Sequence, residues 1–121
     1  ALAAARRLAE ADLELDLNGP ASLLPAIAEL AQAVPDLRIV VNHLGGSGDP
    51  RHLKPGWREG LRTVAAQPNV FMKVSALVEQ VPGAEGAAPR DPAYYLPILD
   101  PLWESFGPDR LIYGSNWPVS D

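Results

Sequence analysis

Short apolar runs in this sequence are followed or interrupted by polar side chains that could take part in chemistry. Asn18 follows the first run, His43 the second and Asn116 the fourth, while Lys73 lies inside the third. An imidazole can bind a metal ion or polarise a carbonyl group, and an ammonium group can pair with a carboxylate. These residue types point to chemistry on a small molecule with carbonyl or carboxylate groups.

His43 and Lys73 each allow a structural interpretation beside the functional one. His43 could form a hydrogen bond at the rim of a sheet, or it could bind a metal or a substrate carbonyl. Gly45 and Gly46 after it would let the backbone approach a ligand closely, or form a tight turn. Lys73 would need a partner within an apolar strand, which could be a structural carboxylate or a substrate carboxylate.

Several other kinds of site are not expected. Ser75 has no base and acid partner visible in the sequence, so a serine triad is improbable. Residues 45–48 do not form the G-x-G-x-x-G pattern of nucleotide sites. The chain has no cysteine, which excludes disulfides and a thiol nucleophile. His52 lies in a polar run and is expected on the surface.

Composition narrows the classes of partner. The 121 residues include 10 Lys and Arg against 15 Asp and Glu, giving a formal charge of −5, which argues against nucleic-acid binding. The apolar runs are too short to cross a bilayer. With 47% hydrophobic and 21% charged residues, the chain is typical of a globular protein. We expect a cytoplasmic location, because the lack of cysteine suits that compartment.

Strand and helix patterns alternate along the chain. The apolar runs predict strands at residues 13–17, 37–42, 70–77 and 110–114. Helical periodicity predicts helices over residues 1–10, 23–34, 57–65 and 96–106. Pro97 and Pro101 are expected to break or kink the last helix. Residues 81–90, rich in Gly, Pro and Ala, predict an exposed loop.

This alternation predicts an α/β fold with a parallel sheet. A flavodoxin-like open sheet is complete at about this size, whereas a (β/α)8 TIM barrel needs roughly 200 residues or more. Both ends of the sequence look cut, which favours half of a barrel. In either fold the functional end is the carboxyl edge of the strands.

Three motifs in order, at residues 40–46 (VVNHLGG), 68–77 (PNVFMKVSAL) and 106–119 (FGPDRLIYGSNWPV), carry a resemblance over residues 13–121. They resemble the amidohydrolase-related metal-dependent hydrolases of the lactonase group, which contains sugar lactonases and 2-pyrone-4,6-dicarboxylate lactonase. The resemblance implies that residues 1–121 are a partial amidohydrolase-type TIM-barrel domain, the C-terminal half with strands five to eight. It also implies a hydrolase that opens a lactone or related cyclic ester by water attack.

The resemblance also assigns roles to single residues. His43 matches the active-site histidine of the family, and Asn116 stands where the family has its catalytic Asp. Lys73 and Trp117 fall on supporting or substrate-facing positions, and Asn18 is a further candidate for substrate binding. His43 would bind a divalent metal, zinc or manganese, only if the missing half supplies His-x-His. The 121 residues alone are expected to bind no metal and to be inactive.

Asn116 is a departure from the family pattern, because an amide cannot accept a proton as a carboxylate does. The base would then be Asp16 or a residue of the missing half. The His-x-His that follows the family's first strand is also absent from this sequence, and Ser75-Ala76 in place of Ser-Gly is a mild change. An alternative function is a decarboxylase or a non-hydrolytic barrel that binds an acidic ring compound, and a third is a small open-sheet binding module. The expected partner is a lactone or carboxylated ring compound, and an oligomer is possible.

Overall fold

The computed structural model describes residues 1–83 and 87–119 and contains a four-stranded parallel sheet. The helices are α1 (Leu2–Glu10), α2 (Leu24–Ala33), α3 (Trp57–Ala65) and α4 (Leu96–Phe106). The strands are β1 (Glu14–Leu17), β2 (Arg38–Val41), β3 (Gly48–Asp49), β4 (His52–Leu53), β5 (Val70–Val74) and β6 (Leu111–Tyr113). Within these residues, no helix is long and apolar enough to cross a membrane.

The main sheet has the order β1-β2-β5-β6, and every pair in it is parallel. Leu17 pairs with Val41 and Val41 with Met72, so the first three strands end at nearly the same level. Because the strands are parallel, their carboxyl ends share one edge. The predicted α/β fold with alternating helices and strands is confirmed.

The two faces of the sheet differ in what covers them. Alternate strand residues on one face, Ile39, Val41, Val70 and Met72, are buried in one core with the helices. Residues of the opposite parity, among them Asp16, Phe71 and Lys73, lie on the other face, because side chains alternate along a strand. In the described residues, the helices therefore cover one face of the sheet.

Two polar side chains tie helix ends to the sheet. The Asn69 amide nitrogen donates to three carbonyl oxygens at 2.8–3.2 Å. One belongs to Ala31 in α2, and the other two belong to Val34 and Leu37, which follow this helix. The Arg110 guanidinium donates at 2.9–3.1 Å to the carbonyl oxygens of Ala65, Gln67 and Val70. The last carbonyl groups of a helix have no partner within it. The motifs around Asn69 and Arg110 thus have a structural role.

Four details differ from the sequence-based predictions. The third strand ends at Val74 instead of residue 77, because Ala76 has a left-handed backbone (φ +54°) that a strand does not accommodate. The short hairpin formed by β3 and β4 was not predicted, since strands of two residues have no periodicity. Residues 84–86 of the predicted loop lie outside the described residues.

Helix α4 is the third difference, because it runs through Pro101 without a break. Pro97 lies in its first turn, where a missing N–H costs nothing. Around Pro101, the buried side chains of Ile98 and Leu102 anchor the helix in the core. The fourth difference concerns Trp103, which the apolar spacing of this helix predicts on its buried face but which is 58% exposed.

Replacing Arg110 by Met is expected to lower the free energy of unfolding by about 1–3 kcal/mol, because partly buried carbonyl groups lose their donor. The matched control is Arg62→Met in α3, where the side chain is exposed and the change should stay within about 0.5 kcal/mol. Urea unfolding measures both. Equal losses in the two variants would contradict a specific role for Arg110.

Candidate active site

His43 begins a strained turn directly after β2. Four consecutive residues, from His43 to Gly46, have positive φ values of 51°, 61°, 63° and 72°. For a non-glycine L-residue such as His43 or Leu44 this conformation costs about 1–2 kcal/mol. Residues in such conformations persist only where their surroundings hold them, and they cluster at functional sites.

Packing around this turn explains its sequence. Trp57 is fully buried, and its indole N–H donates to the carbonyl oxygen of Leu44 at 2.7 Å. A Cβ atom at Gly46 would lie 2.8 Å from the backbone nitrogen of Ala21. Glycine at position 46 is therefore required by the close approach of another backbone segment of this chain. Between the two interpretations of this glycine, the structure favours the packed turn over a ligand contact.

The His43 ring is held by a serine from the neighbouring strand. His43 Nδ1 lies 2.7 Å from Ser75 Oγ, and Ser75 is 3% exposed. Folding brings together these two residues, which are 32 positions apart, and so gives Ser75 a partner that the sequence did not reveal. A buried hydroxyl is poorly placed to attack a substrate, so Ser75 orients His43. Since Nδ1 is engaged, Nε2 is the ring atom available for chemistry.

Gly114 allows β6 to lie close to this pair. Its N–H donates to the carbonyl oxygen of Val74 at 3.0 Å, which continues the β5–β6 pairing. A Cβ atom at Gly114 would lie 3.1 Å from Ser75 Cβ and 3.5 Å from Lys73 Cδ. A larger residue would therefore push against Ser75, whereas the distance to Lys73 is an ordinary van der Waals contact. The sequence offered no signal for this contact beyond the glycine itself.

Lys73 has a structural partner. Its Nζ lies 3.1 Å from Asp16 Oδ2, and the two side chains are 27% and 45% exposed. The pair reaches from β5 to β1 across β2, on the face without helices. Of the two interpretations of Lys73, the structure shows the ion pair within the chain.

The remaining predicted residues follow β1 and β6, at the same edge of the sheet. Asn18 is exposed, Asn116 is partly exposed with φ +58°, and Trp117 is 76% exposed. The backbone N–H of Trp117 donates to Ser115 Oγ at 3.3 Å. Across residues 1–83 and 87–119, no side-chain hydrogen bond joins Asn18, Asn116 or Trp117 to the His43–Ser75 pair.

Backbone strain also marks the other strand ends. Ala76 after β5 and Asn116 after β6 both have positive φ values, 54° and 58°. Asn tolerates this region better than most residues, whereas Ala does not, which explains why glycine suits position 76. Next to His43, Asn42 Oδ1 is buried and has no hydrogen-bond partner among the residues that the structure describes. The edge therefore combines strain with an unsatisfied acceptor.

The β3–β4 hairpin follows the His43 turn and is fastened to the segment after β5. Gln80 Oε1 accepts from the Gly48 N–H at 3.2 Å, and the Tyr94 hydroxyl donates to Asp49 Oδ1 at 3.1 Å. The Arg51 backbone N–H, together with the Tyr94 hydroxyl, holds the pKa of Asp49 below its ordinary value. The hairpin is thus fixed beside the candidate site.

Burial raises the pKa of Tyr95, whose hydroxyl donates to the carbonyl oxygen of Pro89 at 2.7 Å. His52 is exposed, as expected.

The described residues do not fit a metal centre by themselves. A catalytic zinc site takes three protein ligands, usually His, Asp, Glu or Cys. Within the part of the chain that the structure describes, no group of three such residues could hold a metal ion. His43 offers one ring nitrogen, and Asn116 offers an amide where the resemblance implies a carboxylate. No metal-dependent step is therefore assigned to these residues.

The sequence of this chain is similar to those of known proteins. The family model described as amidohydrolase matches residues 2–121. L-fucono-1,5-lactonase from Burkholderia ambifaria is 33% identical over 109 residues, which cover 90% of this chain and 36% of the lactonase. The chain thus spans little more than a third of this relative.

Solved structures also have folds similar to that of this chain. An amidohydrolase from Burkholderia multivorans with bound zinc has a TM-score of 0.85 and 28% identity, covering 98% of this chain and 42% of that chain. A Pseudomonas putida structure named as a 2-pyrone-4,6-dicarboxylic acid hydrolase has a TM-score of 0.70 and 28% identity, covering 93% and 40%. Matching nearly all of this chain to less than half of larger barrels agrees with the predicted partial TIM barrel.

Proposed function

This chain belongs to the amidohydrolase family, and we propose that it forms part of a hydrolase that opens a lactone or related cyclic ester by attack of water. The lactonase among its relatives supports this reaction type. The observation that carries the proposal is the placement of His43 at the carboxyl edge of the sheet, with Nδ1 held 2.7 Å from Ser75. A fixed imidazole with a free Nε2 is suited to act on a carbonyl group.

In the proposed reaction, water adds to the carbonyl carbon and the ring C–O bond breaks. Negative charge develops on the carbonyl oxygen, and a donor already in place stabilises it. His43 Nε2 supplies that donor. The Asn116 amide holds the water or the substrate, and Asn18 and Trp117 contact the rest of the substrate.

The proton of the attacking water needs a separate acceptor, because the Asn116 amide cannot take it. Asp16 or a residue outside this chain takes this proton as the base and returns it to the ring oxygen that is released when the C–O bond breaks. A divalent metal would use His43 as a ligand only together with residues from outside this chain.

The charge of the strand ends favours a neutral substrate. Among the described residues, the strands of the main sheet bring one cation to this edge, Lys73, and Asp16 already neutralises it. A carboxylated ring compound would have to displace Asp16, whereas the hydroxyl groups of a sugar lactone could bind to the amides and to the ion pair. We therefore favour a sugar lactone over a ring dicarboxylate.

Replacing His43 by Ala in the full-length protein is expected to lower kcat/KM for the lactone by at least about 10²-fold, because the charge on the carbonyl oxygen loses its donor. A pH-indicator assay of lactone opening measures this. The matched control is His52→Ala, which removes the exposed second histidine of the chain and should leave kcat/KM unchanged. Wild-type activity in the His43 variant would exclude the assignment.

The substrate preference is tested with a neutral sugar 1,5-lactone and 2-pyrone-4,6-dicarboxylate. We expect kcat/KM to be at least about tenfold higher for the neutral lactone, because the dicarboxylate finds no unpaired cation at these strand ends. Asp16→Asn should shift this ratio towards the dicarboxylate by freeing Lys73, whereas an equal loss of kcat/KM for both substrates would identify Asp16 as the base. A dicarboxylate preference in the wild type would contradict the charge argument.

Asn116→Asp tests the hydrolase against the decarboxylase or binding alternative. In the proposed hydrolase the Asn116 amide holds the water or the substrate, so we expect kcat for lactone opening to fall by about tenfold or more (about 1.4 kcal/mol). A large gain in kcat would instead indicate a site that had lost hydrolysis and would favour the alternative, because the new carboxylate could accept the proton of the attacking water.

A further inference from the structure

We propose that Ser75 is a positioning residue that donates its hydroxyl hydrogen to His43 Nδ1 and so keeps the ring hydrogen on Nε2. This inference rests on the proposed function, in which Nε2 donates to the substrate carbonyl. His43 Nδ1 and Ser75 Oγ lie 2.7 Å apart. The distance alone fits either direction of donation, so the direction follows from the remaining contacts.

The hydrogen bonds available to the Ser75 hydroxyl determine which of the two groups is the donor. A serine hydroxyl has one hydrogen and two lone pairs. Within residues 1–83 and 87–119, the hydroxyl of Ser75 makes its hydrogen bond to His43 and no second one. Were Nδ1–H the donor, the buried Ser75 hydrogen would lack an acceptor, at a cost of about 1–3 kcal/mol. When Ser75 donates, that hydrogen is satisfied.

The consequence for His43 is a defined tautomer. A neutral imidazole carries one hydrogen, so an acceptor role for Nδ1 leaves the hydrogen on Nε2. Nε2 then donates a hydrogen bond; only the opposite tautomer, in which Nδ1–H donates to Ser75, would leave Nε2 a lone pair for a metal ion. This distinguishes Ser75 from a carboxylate or a carbonyl oxygen at the same place, which can only accept and would put the hydrogen on Nδ1.

Neighbouring residues keep Ser75 in place for this role. Ser75 is 3% exposed and follows β5 directly, before the strained turn at Ala76. Gly114 packs closely against Ser75, since a Cβ atom added at position 114 would lie 3.1 Å from Ser75 Cβ. The Ser75 hydroxyl is therefore fixed by β5 and β6, while the His43 backbone is fixed by β2 and Trp57.

The direct test is the tautomer of His43 in the full-length protein, measured by long-range ¹⁵N–¹H NMR near pH 9, where an ordinary imidazole is neutral. Loss of the signal in His43→Gln identifies it. We expect the Nε2–H form in the wild type and a mixture of both forms in Ser75→Ala. Detection of the Nδ1–H form in the wild type would overturn the proposal.

Kinetics provide a second readout. Ser75→Ala should lower kcat by about 10–100-fold, the usual effect of losing such an outer partner, with KM little changed. Ser75→Thr keeps the hydroxyl and should recover part of kcat. The matched control is Ser47→Ala, since Ser47 is fully buried in the same turn region but donates to the Gly48 carbonyl oxygen instead of His43. Its kcat should stay at the wild-type level.

The outcomes separate the two proposals. An unaltered tautomer and kcat in Ser75→Ala would refute positioning by Ser75, even if His43→Ala is inactive and the hydrolase stands. Conversely, a full-length protein that opens no lactone but shows the Nε2–H form would refute the function and retain the role of Ser75.

Discussion

Parallel pairing of the four strands is the constraint from which the candidate site follows. Since all strands run in one direction, His43, Ser75 and the residues after Gly114 must meet at a single edge. Parallel strands must be joined by long connecting segments, which are mostly helical. The carbonyl groups at the ends of those helices need hydrogen-bond donors. Asn69 and Arg110 provide them, each binding carbonyl groups where a helix meets the next strand.

The strained backbone at the carboxyl edge fixes the position of the His43 ring. A left-handed backbone at His43 turns the chain away from the sheet immediately after β2, and the buried Trp57–Leu44 bond holds that turn. A rigid imidazole loses little freedom when substrate binds, and preorganised donors are more effective than mobile ones. The open face of the sheet then supplies the paired charges of Lys73 and Asp16 beside it.

Much of the fold was predictable from sequence, because apolar periodicity depends on burial. The stripe from Trp57 to Ala65 and the strand at Arg38–Val41 appear close to where the pattern predicts them. The proximity of Ser75 to His43 was not predictable, since the register between β2 and β5 fixes it and no local pattern encodes that register. The paired state of Lys73 was one of two open interpretations, because sequence alone does not reveal whether a partner lies across the sheet.

His43 Nε2 is proposed to face the substrate carbonyl while Ser75 holds Nδ1. A crystal structure of the full-length protein with a lactam analogue of its lactone would show both contacts at once. We expect a distance of about 2.6–3.2 Å between Nε2 and the carbonyl oxygen of the analogue, with the Ser75 contact intact. An analogue carbonyl beyond hydrogen-bond distance of Nε2, or Nε2 bound to a metal ion, would contradict it.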